Sequence, residues 1–415
     1  MLANLCKTVV LYKLALVAVI VAAFASLAPV AGAKPAEGPT PAENPAPTLN
    51  AATDTAASAA TGATSSPAAA DSVNIFGPGR AVQQPPLVAG SFLQPFANPH
   101  FPKPLLDWDQ TRWDQEIQAM QSAGMHILVL QYTGYNGASI YPSALWPQAT
   151  PGDQVDRLLR AADAAGFQVF LGLSLSDSWW RGRNDDEYLR GEALRLVLQA
   201  MELLTRYGAH PSFQGWYIPH EIVPMGAWRE EPQRQRLADF LRQVTSGIRL
   251  FDRRRPIAIA PYFIPAALGP APFKAWWAKT LQEAGVNIVM LQDGVGRDGH
   301  AATTSVDVPV YFRLMAEAAR AAGVSLWADI EVYRETSPDP QWRATAGPWG
   351  QLQEQMQAVA PFVDRIVVFE FARFMSPLAP DPNARALYRQ YVDYYHQTVA
   401  PGGMARIPDR SAGRE

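Results

Sequence analysis

Acidic side chains recur at one kind of position along this chain, directly after short apolar, β-rich runs. Glu221 follows one such run, and Glu331 ends another together with Asp329; Asp293 and Glu370 close two more. Two carboxyl groups facing each other across a groove can divide one reaction between them. One keeps its proton and assists a departing oxygen, and the other is ionised and attacks carbon or activates water. That division of labour is what cleavage of a glycosidic bond requires. Amides and aromatic rings stand at the same kind of place. Gln94, Gln131, Tyr132, Trp179, Trp180, His220, Tyr262, Gln292 and Trp327 all lie in or just after such runs and are expected to line a substrate groove.

The elements that would gather these residues repeat eight times. Apolar runs fall at Val88–Gln94, His126–Tyr132, Phe167–Leu175, Phe213–Ile222, Pro256–Phe263, Val286–Asp293, Val324–Tyr333 and Arg365–Phe371. Helical patterns separate them, at Thr111–Ala123, Asp153–Ala165, Tyr188–Tyr207, Gln233–Phe251, Phe273–Ala284, Tyr311–Ala322 and Gly350–Ala360. Four of these stop at Ala-Gly, at Gly124, Gly166, Gly285 and Gly323, where glycine can take the left-handed cap at little cost. Alternation of strand and helix implies a parallel sheet, and eight units imply a single α/β domain, a (β/α)8 TIM barrel. The alternative, an open doubly wound sheet, would carry a glycine-rich first turn, and none follows Val88–Gln94.

In such a barrel the site forms at the C-terminal ends of the strands. Along Val324–Tyr333, Val324, Leu326, Ala328 and Ile330 share one face, which suits the surrounding helices. Asp329 and Glu331 therefore point inward, with Glu331 nearer the mouth. The fourth run is ambiguous. Tyr217, Pro219 and Glu221 share a face, but so do Trp216, Ile218 and His220, and either could be inward. Asp293 and Glu370 could bind hydroxyls, could catalyse, or could pair with Arg373 in a structural salt bridge. His126, inside an apolar strand, reads as a core residue, and Trp276 and Trp277 read as helix packing.

The positions of Glu221 and Glu331 resemble those of the clan A (4/7) glycoside hydrolases. The resemblance implies that Glu221 is the acid/base, Glu331 the nucleophile, and that configuration is retained. The usual Asn-Glu of that clan is here His220-Glu221, so His220 would take over the partnering of a sugar hydroxyl. A second resemblance rests on Gly90-Ser91-Phe92-Leu93-Gln94, Gly215-Trp216-Tyr217-Ile218-Pro219-His220-Glu221, Leu291-Gln292-Asp293-Gly294-Val295-Gly296 and Phe374-Met375-Ser376-Pro377. These stretches are similar to a bacterial family catalogued as a domain of unknown function and regarded as glycoside-hydrolase-like.

Composition sets the remaining bounds. The chain has 415 residues, a net charge of −3 and 48 % hydrophobic residues. That is chain enough for a large core, and it gives no reason to expect nucleic-acid or anionic-membrane binding. The single cysteine, Cys6, precedes the first apolar stretch, so a chain processed beyond it has neither disulfides nor thiolate-held metals. No HExxH motif and no pair of histidines at i, i+4 suggests a metal, and no cofactor is expected. Lys7 and Lys13, the apolar run Leu14–Leu27 and Ala31-Gly32-Ala33 read as an export signal over residues 1–33, cleaved after Ala33; an uncleaved anchor is the alternative. Residues 34–85 are poor in bulky apolar side chains, above all Lys34 to Asp71, and are expected to form a disordered linker. The barrel is expected over residues 86–400, with a flexible tail over 401–415. The expected protein is an exported monomer, in the periplasm or outside the cell, that acts on a polysaccharide or oligosaccharide. The rival readings are a non-catalytic polysaccharide-binding or assembly protein and a barrel lyase or isomerase that uses the acids for proton abstraction.

Overall fold

The computed structural model describes residues 85–399 except 98–104, 106, 147, 150–151, 298–302 and 338–341. The expected export signal, linker and tail lie outside the described residues. Eight strands form a closed, all-parallel barrel: β1 Gly90–Leu93, β2 Ile127–Leu130, β3 Gln168–Gly172, β4 Phe213–Ile218, β5 Ile257–Ile259, β6 Ile288–Gln292, β7 Ser325–Glu331 and β8 Arg365–Phe369. Each strand pairs with its neighbours in sequence, and β8 returns to β1 through Gly90 opposite Val367. The expected α/β barrel is the observed fold. The strands are shorter than the apolar runs because those runs continue into the loops that build the mouth.

A helix follows every strand: α1 Gln110–Ser122, α2 Gln154–Ala165, α3 Asp186–Tyr207, α4 Glu231–Arg249, α5 Pro270–Ala284, α6 Asp307–Ala322, α7 Trp349–Val359 and α8 Pro382–Val399. Three start at an aspartate whose side chain accepts a backbone N–H: Asp109 from Arg112, Asp153 from Asp156 and Asp185 from Tyr188. Gly124, Gly166, Gly285 and Gly323 all have φ between 70° and 74°, as their place after Ala requires. Helix α8 goes beyond the helices expected from periodicity. It is tied to the start of the barrel, since the hydroxyl of Tyr391 accepts from the Val88 backbone N–H at 2.8 Å and Tyr394 donates to the Pro86 carbonyl at 2.9 Å.

Strand alternation divides the core in two. Phe92, Ile127, Val129, Phe170, Tyr217, Met290, Trp327 and Val367 fill the barrel interior. Leu93, Leu128, Leu130, Leu171, Trp216, Ile218, Leu291, Leu326, Ala328 and Ile330 belong to the larger core between sheet and helices. Two additions modify the mouth. An antiparallel hairpin, Tyr333–Ser337 with Arg343–Ala346, follows β7, and a small sheet built from Gly134–Tyr135, Ala138–Ser139 and Gln148–Ala149 follows β2.

Candidate active site

A cavity of about 320 Å³ opens at the C-terminal ends of the strands. Phe92 and Gln94 line it from β1 and the residues just after it, Gln131 and Tyr132 from the end of β2, and Asp177 and Trp180 from the β3 loop. Opposite stand Pro219 and Glu221 after β4, Gln292 and Arg297 at and after β6, Asp329 and Glu331 on β7, and Tyr333 and Trp342 from the hairpin. Of the residues singled out in the sequence, the cavity therefore gathers Glu221, Glu331, Gln94, Gln131, Tyr132, Trp180 and Gln292. It does not gather Trp179, His220, Tyr262, Asp293, Trp327 or Glu370.

The face of the fourth run is settled by what lies behind it. Trp216 donates its indole N–H to Asp252 Oδ2 at 2.9 Å, and His220 Nε2 meets Glu192 Oε1 at 2.8 Å. Both belong to the helix side, so Tyr217, Pro219 and Glu221 turn inward. His220 is thus a packed, hydrogen-bonded core residue and not a sugar contact. Trp179 joins it there. Fully buried, Trp179 sets its ring edge-on to His220 at 4.7 Å and donates Nε1–H to the Glu221 carbonyl at 3.2 Å. It cannot serve as a stacking platform, but it holds the backbone of Glu221 from behind. The next residue, Trp180, is 42 % exposed. Arg183 lies 4.8 Å from the Trp180 ring and 4.5 Å from the Trp228 ring, so a guanidinium sandwich stiffens the exposed indole.

Glu331 is braced on all sides. Its Oε2 accepts the Gly296 backbone N–H at 2.8 Å, and its own N–H donates to Asp293 Oδ1 at 3.1 Å. Gln355 Nε2 then bridges Asp293 Oδ2 at 2.8 Å and the Glu331 carbonyl at 2.9 Å. Asp293, with no exposed surface, is a bolt that fixes the end of β7 and not a hydroxyl ligand. Gly296 is required at its place. A Cβ there would lie 2.7 Å from the Tyr333 carbonyl oxygen and 3.0 Å from Glu331 Cβ. The motif Gln292-Asp293-Gly294-Val295-Gly296 thus serves to carry a bolt and a backbone donor to Glu331.

Glu370 has a parallel role on the opposite side. Fully buried, it accepts the Gln94 backbone N–H at 2.9 Å and pairs with Arg373, whose guanidinium also donates to the Gln94 carbonyl at 2.9 Å. It is the salt-bridge partner among the readings open for it, and it fixes Gln94. Trp327 lies lower in the barrel, edge-on to Phe170, with its indole N–H on Ser325. Tyr262 sits behind Gly294, beside the Thr303 hydroxyl. Arg297, Tyr333 and Trp342 were not foreseen. The only hint for Arg297 was its place after the glycine-rich turn, and nothing marked Trp342.

The electrostatics of the pair depart from the division of labour the resemblance implies. Burial, followed by the Asp293 charge, pushes the Glu331 carboxyl up to about 8, against the pull of Arg297 and of a hydrogen bond from Tyr333. Burial also raises Glu221, opposed by Arg297 and Arg183. Asp329, which is desolvated and flanked by Asp293 and Glu331, is held well above the carboxylate range. Burial thus favours the protonated form of Glu331, and its ionisation requires higher pH or a rearranged charge around it.

Fold and cavity together define a (β/α)8 barrel with a carboxylate-lined mouth. The chain belongs to the family described as a domain of unknown function (DUF4434), whose profile matches residues 88–381. No match to a curated protein is found. Among solved structures, the chain is similar to a protein of Bacteroides thetaiotaomicron VPI-5482 provisionally described as an alpha-L-fucosidase. The TM-score is 0.63 at 21 % identity, over 77 % of this chain and 99 % of that one. A beta-galactosidase of Marinomonas ef1 gives a TM-score of 0.49 at 12 % identity, over 75 % of this chain and 59 % of that one. The GH99 endo-alpha-mannosidase of B. thetaiotaomicron gives 0.44 at 13 %, over 75 % and 97 %. At these identities the likeness is one of fold.

Proposed function

We propose that the protein is a retaining glycoside hydrolase that cleaves within a polysaccharide of the cell envelope or exterior. The observation that carries this reading is that Glu221 after β4 and Glu331 on β7 line one cavity whose walls are aromatic rings and amides. Aromatic faces suit the C–H faces of sugars, and the amides suit their hydroxyls. Glu331 attacks the anomeric carbon and forms a glycosyl ester. Glu221 first gives its proton to the leaving oxygen and then takes one from the incoming water. Arg297, which attracts both carboxylates, stabilises the negative charge as it passes between them.

Product analysis on a panel of bacterial exopolysaccharides, with NMR of the first-formed anomer, tests this directly. Retained configuration is expected; inverted product would remove the ester intermediate. Glu221→Gln should lower turnover of natural glycans by ~10²–10⁴-fold, because general-acid help is gone. It should spare an aryl glycoside whose leaving group needs no proton, and azide should rescue Glu221→Ala with configuration retained. Equal losses on both substrates would remove Glu221 from the acid role.

The exposed indole gives a further expectation. Trp180→Ala should leave the melting temperature within about a degree of wild type, since the ring covers little core. It should weaken oligosaccharide binding by roughly tenfold in titration calorimetry. Unchanged affinity would take Trp180 out of the groove.

A further inference from the structure

The cavity is unevenly charged. Among the described residues that line it, Asp177, Glu221, Asp329 and Glu331 are acids and Arg297 is the one base. Arg297 acts on Glu221 and Glu331, and Glu221 is also drawn by Arg183. Asp177 is exposed at the rim, where its carboxylate accepts from the Tyr135 hydroxyl at 2.7 Å and from Asn136 Nδ2 at 2.8 Å. Asp329 is different. It lines the cavity, is 3 % exposed, and its buried Oδ1 has no hydrogen-bond partner. The charges that act on it are those of Asp293 and Glu331, both acidic.

Asp329 stands beside Gln292 on β6 and Val367 on β8, two residues below Glu331 and so ~6.6 Å deeper in the barrel. Gln292 turns its amide N–H away, to the Ala260 carbonyl at 2.9 Å. A buried carboxyl oxygen with no partner is costly unless a ligand satisfies it. A neutral hydroxyl would satisfy the hydrogen bond and leave three carboxyl groups crowded together. An ammonium group would satisfy both the hydrogen bond and the charge.

From this geometry, and resting on the proposed glycoside-hydrolase reading, we infer that the ring bound over Asp329 carries a free ammonium group. The substrate is then a glycan with unacetylated amino-sugar units. Bringing that cation to the floor also offsets the negative charge of the acidic cluster, which favours the ionised form of Glu331 that attack needs.

The test uses the full-length protein and matched oligosaccharides in titration calorimetry. Glucosamine and galactosamine oligomers are compared with their N-acetylated and their neutral hexose counterparts of equal length. At low salt at least one amino-sugar oligomer should bind about tenfold or more tightly than both of its counterparts. Asp329→Asn, which keeps an acceptor for a hydroxyl but cannot carry charge, should bring the ratio to near one. The wild-type comparison stands even if that variant fails to fold. Equal or tighter binding of the neutral or acetylated oligomers overturns the inference and leaves the hydrolase reading intact. So does an absence of binding to any amino-sugar oligomer. The hydrolase reading is judged separately, by cleavage of neutral polysaccharides.

Discussion

Glu331→Gln should do two opposite things: abolish turnover, by on the order of 10⁴-fold or more, and stabilise the folded protein at pH 8. The first follows because an amide cannot form the glycosyl ester. The second follows from burial. In the unfolded chain the carboxyl loses its proton near its ordinary value of 4.5, whereas in the folded protein it does so near 8. Below the ordinary value both states are protonated, and the side chain's contribution is fully present. Between the two values the unfolded chain alone is ionised, so stability falls as pH rises and is lost by about pH 8. Each pH unit in that window is worth ~1.4 kcal/mol, and relaxation of the cavity reduces the total to a few kcal/mol. Glutamine never ionises, and its Oε1 can still accept from Gly296. Melting curves should therefore nearly coincide at pH 5 and separate by several degrees at pH 8, with the variant higher. Coincident curves at both values would mean that Glu331 is already ionised in the folded protein. Retained turnover would end its assignment as nucleophile.

Trp179→Ala should be among the most damaging single changes in the barrel. The ring is fully buried, 5.6 Å from both Trp228 and Phe240, and its N–H satisfies the Glu221 carbonyl. Truncation leaves a large void and a buried acceptor unpaired, and costs ~3–5 kcal/mol. For a barrel of this size that is a fall of roughly 5–8 °C, readable in a thermal or denaturant melt. Trp179→Phe should lose about a third of that amount, because packing is mostly kept and only the indole donor goes. A fall in Tm of only a degree or two for Trp179→Ala would show that the ring is not part of the core.

Trp179 and Trp180 also show where sequence reasoning reached its limit. Both follow the third strand and both are large. They lie in a helix of four residues, Trp179–Gly182, too short to carry a periodicity, so nothing in the sequence told the inward ring from the outward one. On β7 the opposite held. Leu326, Ala328 and Ile330 alternate with Trp327, Asp329 and Glu331, and only one assignment puts the apolar set against helices, so the inward face was legible. On β4 both faces carry aromatic residues, and the choice awaited the partners of Trp216 and His220. Helical glycine stops and the eight apolar runs gave the barrel, because local chemistry dictates them. The bolts Asp293 and Glu370 could not be told from ligands, since Gln355 and the Gln94 backbone reach them from distant parts of the chain. Helix α8 buries only Ala384, Leu387 and Tyr391 among many polar residues, a stripe too thin to stand out.

The hairpin after β7 has a bearing on how such a barrel can change its diet. It supplies Tyr333 and Trp342 to the cavity wall. Among its backbone bonds to the rest of the chain are Glu335 N–H to the Gly296 carbonyl at 2.8 Å and Gly347 N–H to the Val332 carbonyl at 2.9 Å. These two ties are main-chain bonds, blind to side-chain identity, whereas the Thr345 hydroxyl is also held by Asp381 and Asn383. A ribbon of different sequence that keeps Tyr333, the Glu335 backbone bond and Thr345 could be seated between Val332 and Gly347 beside Glu331. The strands beneath would keep their register and the bolts their grip. If the protein acts on glycans as proposed, its selectivity could thus drift, or be engineered, through the ribbon, while the carboxylates stay fixed in the wall of the barrel.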